Sequence, residues 1–517
     1  MKRYVLAHDI GTSGDKATLF DEKGCLIASA SASYGTKYFN GNWAEQSPED
    51  WWLAVCKSSR EVLTYIDTSL LAAVSFSGQM MGCLCVDAHG MPLHDALIYS
   101  DQRSTEQARQ LIEVSGGLDR VYHITGHRPS SSYTLTKLMW IRDHLPEVYG
   151  RTHKVLHAKD YINFKLTGGF FTDYSDASGT NAFDLCTSRW SQELLDAVGI
   201  SPDLFPDVVP STTVVGKVHA DAARLTGIPE GTPVVIGAGD GGCATIGAGS
   251  VSPGKPYCYM GSSSWVSITS EEPMFDEQMH SFTWAHPIAG LYQPCATMQT
   301  AGSAMSWLSG LLQCESCNAD LDKINDMARS VRPGANGVLF LPYLLGERSP
   351  WWNPKAKAEF IGMHVNTTRE DIARAVIEGI AMNLSLSLQP MLQQTQDSSV
   401  MFIGGGAMGT GLRQIFADVF GCDIAIPTLL TEATSMGAAL LGGVGTGVYA
   451  DFSLVEQMNP LSTIVKHNPL HKELYTERTQ LLRETYQTVE PLFDKLEDFN
   501  MKFSAHQFSG SAACRTN

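Results

Sequence analysis

From Tyr4 to about residue 240, short apolar runs that end in glycine-rich turns alternate with helical stretches, and this rhythm constrains the chain most. Such runs bury their faces when helices cover a sheet, which is the α/β architecture. The opening shows it best. Tyr4–Ile10 reads as a strand with Asp9 near its end, the chain turns through Gly11-Thr12-Ser13-Gly14, and Lys16–Phe20 reads as the returning strand. A turn at Asp21–Gly24 leads to a third strand, Cys25–Ser31. Ser47 followed by Pro48, Glu49 and Asp50 marks a helix start: the hydroxyl caps, the proline suits the first turn, and acids favour the positive end. Leu71–Gly82 reads as a buried strand ending in a glycine-bounded loop.

At 517 residues the chain is too long for one core, so two large domains are expected. The residues 248–257, AGSVSPGKPY, are small and Gly/Pro-rich and mark the break. Beyond them CYMGSSSWVSIT again reads strand, small-residue turn, strand, like the opening hairpin. The expected organisation is therefore 1–250, 251–490 and a polar tail over 491–517.

Charged residues make up 18% and the mean hydropathy is −0.07, which excludes a disordered or membrane-embedded chain. A net charge of −17 argues against a nucleic-acid binder, because neutralising phosphates takes clustered Lys and Arg. The first apolar run is short for a signal peptide, and nothing approaches ~20 uninterrupted apolar residues, so a cytoplasmic protein without a membrane partner is expected. The 12 cysteines stand mostly singly and read as reduced thiols. Cys314 and Cys317 form a CxxC with no second pair to complete a zinc site, so chance spacing is the better reading. His153 and His157 read as structural histidines.

Several stretches can carry chemistry. In the turn after Asp9, glycines let backbone N–H groups approach a phosphate, the Thr12 and Ser13 hydroxyls donate to its oxygens, and Lys16 adds charge. Asp9 itself can hold Mg²⁺ through water. The alternative is an ordinary hairpin turn; the spacing is not that of a P-loop. Gly261-Ser262-Ser263-Ser264 offers the same donors, or is simply a serine-rich turn. Gly404-Gly405-Gly406, between an apolar strand and a helix, suits contact with a base or sugar, or serves packing. Asp240, at a strand end amid glycines, can act as a general base or cap the helix that follows. Gln79-Met80-Met81 and Asp101 lie in loops after strands, where α/β proteins bind ligands, though either loop could be a solvated turn.

Two long patterns give these pieces a family. Ser132 to His144 (SYTLTKLMWIRDH) and Ala358 to Glu378 resemble the two signatures of the FGGY carbohydrate kinases, and the chain is most similar to their xylulokinase branch. FLPYLLGERSPWWNP at 340–354 and TEATSMGAALLG at 431–442 resemble further family blocks. In the second signature, Thr367 and Glu370 suit a capping box ahead of a core helix with an apolar face of Ile372, Ala375, Val376 and Gly379.

The resemblance implies two actin-like, ribonuclease-H-type α/β domains facing a central cleft. It implies ATP- and Mg²⁺-dependent phosphorylation of a small sugar or polyol, a pentulose before others, by an expected homodimer. Carried over, Asp240 is the base, and Asp9 organises Mg²⁺. Gly11, Thr12, Ser13 and Lys16 form one phosphate loop, with Gly261, Ser262 and Ser263 in the other. Gly302, Ser306, Gly405, Gly406 and Thr410 contact the nucleotide. Gln79, Met80, Met81 and Asp101 hold the sugar together with Asp240. The chain departs from the xylulokinase pattern at Met81, where that pattern has His, at Gly241, where it has Asn or Gln, and at Ser100, where it has Asn. Alternatives are a kinase of another ketose or polyol, or a non-catalytic sugar sensor on the same fold. The intact pair Asp9 and Asp240 favours catalysis.

Overall fold

In the computed structural model, which describes residues 3–312, 319–395 and 399–507, the opening hairpin forms as read. Strands β1 (Tyr4–Ile10) and β2 (Gly14–Phe20) pair antiparallel with Asp9 opposite Lys16, and β3 (Leu26–Ser33) continues the sheet beside β2. Helix α1 (Pro48–Val62) starts at Ser47, whose hydroxyl accepts from the Asp50 N–H. Strand β4 (Leu71–Gly78) lies parallel to β1 and sets Ser77 opposite Asp9. With β5 (Val214–Lys217) and β6 (Pro233–Gly239) the six strands run β5-β6-β4-β1-β2-β3. The parallel strands β6, β4 and β1 end level, with Gly239 beside Gly78 and Gly78 beside Ile10. Ligands of such sheets bind at these carboxyl ends.

Helices α2 (Thr134–His144), α3 (Ala158–Thr167), the short α4 (Tyr174–Ser178) and α5 (Asp240–Gly247) belong to the same unit. Trp51, Trp52 and Val55 of α1 and Tyr161 of α3 pack against Leu6, Ile10 and Phe76 in one core, while Val5, Ala7 and Ala73 face another.

A seven-stranded sheet is formed by β7 (Pro256–Met260), β8 (Ser264–Ile268), β9 (Phe282–Ala285), β10 (Tyr292–Met298), β11 (Ser399–Ile403), β12 (Asp423–Pro427) and β13 (Leu461–Val465), in the order β9-β10-β8-β7-β11-β12-β13. Strand β9 and most of β10 fall in the first unit, and most of the remaining sheet belongs to the second unit. Its helices include α6 (Gly302–Leu311), α7 (Arg369–Leu392) and α8 (Thr410–Phe420). The capping box of α7 lies one residue later than the sequence suggests. Thr368 accepts from the Asp371 N–H at 3.2 Å, and Asp371 accepts from the Thr368 N–H at 2.9 Å. Asp371 wins over Glu370 because it also takes a 2.7 Å hydrogen bond from Asn336 and is buried. Among the described residues α7 alone is long and apolar enough to cross a membrane, yet 83% of that stretch is buried in protein, with Arg374 and Glu378 paired at 2.7 Å inside it.

The chain then returns to the first unit. Helix α9 (Ala433–Gly445) contributes Met436, Leu440 and Leu441 to the core that holds Val5, Ala73, Cys243 and Ile246. A Cβ on Gly437 would sit 2.0 Å from the Cys243 carbonyl, and one on Gly247 would sit 2.0 Å from that of Ala433. Only glycine lets α5 and α9 touch backbone to backbone.

The first unit thus comprises Met1–Tyr257, Ser267–Cys295 and Pro427–Leu461, and the second Cys258–Val266, Ala296–Ile426 and Ser462–Asn517. The first of these breaks lies close to the expected division at residue 250, and the packing of α9 carries Pro427–Leu461 back across it to the first unit. The stretch read as a tail from 491 is also different at its start. Helix α10 (Lys472–Gln507) runs on through it, with Tyr475, Leu482, Tyr486 and Phe493 buried at helical spacing. Residues 508–517, and Cys314 and Cys317, lie outside the described residues. The nine described cysteines form no disulfide among themselves.

Candidate active site

The end of β1 presents Asp9. One of its oxygens accepts from the Ser77 hydroxyl at 2.7 Å and the other from Thr434, at the start of α9, at 2.6 Å. Burial raises its pKa, the two hydroxyls lower it, the charge of Asp15 raises it and that of Lys16 lowers it. Sheet register delivers Ser77, while Thr434 arrives from 425 residues away; neither was singled out from the sequence.

Asp240 opens α5 directly after β6. Gly239, not Asp240, is the N-cap, so the capping alternative is set aside. One Asp240 oxygen accepts from the Gly241 N–H at 2.7 Å. Burial pushes its pKa up to about 7, helped by the charges of Asp9 and Asp176, while the Gly241 hydrogen bond opposes. A carboxylate poised there can accept a proton at neutral pH.

In the turn after Asp9, the Gly11 N–H closes on the Gly14 carbonyl at 3.0 Å and the Gln46 amide holds the Thr12 carbonyl at 2.7 Å. Thr12 is half-buried and Ser13 exposed. Lys16, expected in the phosphate loop, already has an anionic partner: its ammonium sits 2.5 and 2.6 Å from the two Glu432 oxygens.

The loops read as sugar-binding divide. Gln79 is buried, and its amide donates to Gln46 at 2.7 Å. Met80 leans across the end of β6, so that a Cβ on Gly239 would lie 2.5 Å from it, and one on Gly241 would meet its sulfur at an ordinary 3.6 Å. Met81 is half-buried, with a left-handed φ of 64°. Asp101 is fully buried, and its oxygens are taken by the Ala44 N–H at 2.6 Å and by the Arg103 backbone and guanidinium at 2.8–3.1 Å. In this geometry it is a holder of Arg103, which stacks 3.8 Å over Trp43, and it has no oxygen directed to a sugar. That corrects its reading as a substrate contact.

Beneath Asp240 lies a buried network that sequence reasoning missed. The Lys159 ammonium sits 2.7, 2.9 and 3.0 Å from Asp160, Asp173 and Asp176. Ser175 donates to Asp173 at 2.6 Å and accepts from the Gly239 N–H at 3.0 Å, anchoring the residue before Asp240. His157, Asp160 and Asp176 are close enough to hold a metal, but Lys159 already supplies the cation to both carboxylates. His157 lies 2.8 Å from the Thr134 hydroxyl and 3.1 Å from Asp176, inside the fold as a structural histidine would be.

In the second unit the three small-residue turns meet at the end of β7. The Gly302 N–H bonds the Gly261 carbonyl at 2.9 Å, and Ala301 and Ser303 bond that of Ser262. A Cβ on Gly302 would be 2.5 Å from the Gly261 carbonyl; one on Gly404, where φ is 94°, would be 2.5 Å from the Met260 carbonyl. Gly406 packs on the Met260 side chain. Ser262, Ser263, Ser306 and Thr410 are exposed, and Gly405 is half-buried.

Sheets whose strand ends carry the acids and the small-residue turns define a two-domain, actin-like α/β protein. Residues 4–247 match the N-terminal domain of the FGGY family of carbohydrate kinases and residues 257–446 its C-terminal domain. The chain belongs to the FGGY family and is an enzyme of the carbohydrate kinase class. It is 32% identical to a xylulose kinase of Staphylococcus epidermidis, covering 95% of this chain and 98% of that one. It is 31% identical to a gluconokinase of Bacillus licheniformis, covering 91% and 92%. The solved ligand-bound xylulose kinase of Lactobacillus acidophilus superposes with a TM-score of 0.89 at 26% identity, covering 96% of this chain and all of that one.

Proposed function

We propose that the chain transfers the γ-phosphoryl group of ATP to a hydroxyl of a pentulose of the xylulose type, with Asp240 as general base. The observation that carries this reading is the Asp240 carboxylate at the end of β6, held near neutrality by burial and by Asp9. A sugar hydroxyl is a weak nucleophile; Asp240 takes its proton as the oxygen attacks, which is commonly worth ~10²–10⁴-fold. Further stabilisation of the phosphoryl oxygens falls to backbone and hydroxyl donors of Thr12 and Ser13 in the turn after Asp9.

The donor set at Asp9 fits Mg²⁺. Each oxygen keeps acceptor capacity beyond one hydroxyl, and the mutual repulsion of Asp9 and Asp240 falls when a cation is near. No third carboxylate or histidine joins them in a tight cluster among the described residues, which suits a cation that keeps waters and leans on phosphates. When bound, Mg²⁺ neutralises charge on the phosphoryl oxygens. Lys16 has its charge already balanced by Glu432 before a phosphate arrives.

The likeness to a gluconokinase, together with Met81 and Gly241, supports a second reading in which the sugar is another ketose, a polyol or an aldonate. A coupled ADP-release screen over pentuloses, hexuloses, pentitols and aldonates tests both. Turnover should depend on one of these sugars; ATP hydrolysis indifferent to all of them would instead mark a sensor. Because a side chain at Gly241 meets only the Met80 sulfur at contact distance, the double variant Met81→His with Gly241→Asn is tolerable and should raise the preference for D-xylulose.

A further inference from the structure

Between Gln79 and Cys83 the chain leaves the sheet that carries the site. The Gln79 N–H still bonds the Ile10 carbonyl, and the Cys83 N–H already pairs with Leu97. Between them, the carbonyls of Met81 and Gly82 are met by side chains of α2. The Lys137 ammonium donates to the Met81 carbonyl at 3.1 Å and to the Ser132 carbonyl, and the Thr134 hydroxyl donates to the Gly82 carbonyl at 2.9 Å. Residues three apart on a helix share a face, so one face of α2 holds two consecutive carbonyls.

We propose, building on the sugar-kinase reading, that Lys137 is a positioning residue for the sugar: by clamping the Met81 carbonyl it holds the Met80–Gly82 turn in the form that faces substrate. Two independent features support this. Met81 adopts φ 64°, a left-handed conformation that methionine enters rarely and keeps only under constraint. Lys137 is fully buried and makes no ion pair among the described residues, so carbonyl oxygens are what compensates its ammonium. Burial lowers its pKa to about 7, with Cys83 and Asp101 raising it and Arg103 lowering it further. Met80 carries the effect onward, because it lies against Gly239 and Gly241 on either side of Asp240.

The experiment is steady-state kinetics with amide hydrogen exchange on the full-length chain. Lys137→Met should raise the sugar KM about tenfold or more, the scale of a lost buried hydrogen bond to a charged donor, and leave the ATP KM unchanged. Exchange should quicken in the segment Gln79–Cys83. Glycine enters the left-handed region freely, so in a Met81→Gly background the same Lys137 substitution should cost distinctly less. An equal rise in both KM values, unchanged exchange at Gln79–Cys83, or the same loss in both backgrounds would overturn the clamp. Should Lys137→Met not fold, Thr134→Val decides by the same two readouts. If the unaltered chain phosphorylates no sugar, the functional reading fails, while the exchange measurement still judges the clamp.

Discussion

The ends of β1 and β6 look alike in sequence, each with an acid within two residues of a glycine beside β4, yet the fold gives the two carboxylates different partners. Asp9 is gripped by two hydroxyls, from Ser77 and Thr434. Asp240 has no side-chain donor among the described residues, only the N–H of its neighbour Gly241. Hydrogen bonds to a carboxylate favour its charged form, and their scarcity in a buried place favours the neutral one. Burial raises the pKa of both acids, but at Asp9 two hydroxyls oppose the rise and hold the carboxylate in place. Asp240 can exchange a proton.

The largest expected effect sharpens this contrast. Asp240→Asn keeps size but removes the proton acceptor, and kcat should fall by about 10²-fold or more with ATP binding intact, measured by ADP release and nucleotide titration. In the unaltered chain, kcat should fall as pH drops through about 7, since the base must be ionised, and the variant's residual rate should lack that limb. Retention of more than about a tenth of kcat would break the assignment of Asp240.

Asp9→Asn should act on the cation instead. The Mg²⁺ concentration giving half the maximal rate should rise about 10–100-fold, the range for weakened metal attachment, and added Mg²⁺ should restore much of the rate. Thr434→Val is milder. It removes one of the two hydroxyls that lower the pKa of Asp9, so the Mg²⁺ requirement should rise about three- to tenfold, most at acidic pH. Equal responses of the Asp9 and Asp240 variants to Mg²⁺ would erase the distinction between the two strand ends.

The smallest effect concerns stability. The folded pKa of Asp240, about 7, lies above its ordinary value of 3.8, so the folded state binds that proton more tightly than the unfolded one. Ionised Asp240 therefore weakens the fold at higher pH. Asp240→Asn should melt slightly above the unaltered chain near pH 8, and the difference should shrink as pH falls through 7 towards 4.

The strand ends were legible because their signals are local: an acid, glycines and an apolar run within a few residues. Their partners were not. A hydroxyl such as Thr434 carries no periodic signature, and its meeting with Asp9 depends on α9 packing over the sheet. The pairing of Lys16 was not legible because Glu432, which neutralises it, is 416 residues distant. Asp101 looked available for the same reason, since Ala44 and Arg103 saturate it only after folding. At α7 the local pattern points to Thr367 with Glu370, whereas the folded chain caps one residue later with Thr368 and Asp371. Asn336, from another segment, selects the later pair.

The return of Pro427–Leu461 to the first unit has a consequence for biosynthesis. When the ribosome has released the first sheet, the apolar face containing Val5, Ala73 and Cys243 still awaits α9, and most of the second unit must be made before α9 emerges. Through that interval the nascent chain exposes an uncovered hydrophobic surface, which is where chaperones bind and aggregation begins. Asp9 likewise lacks Thr434 until the same moment, so its pair of hydroxyl donors is complete only once α9 has been made and has packed.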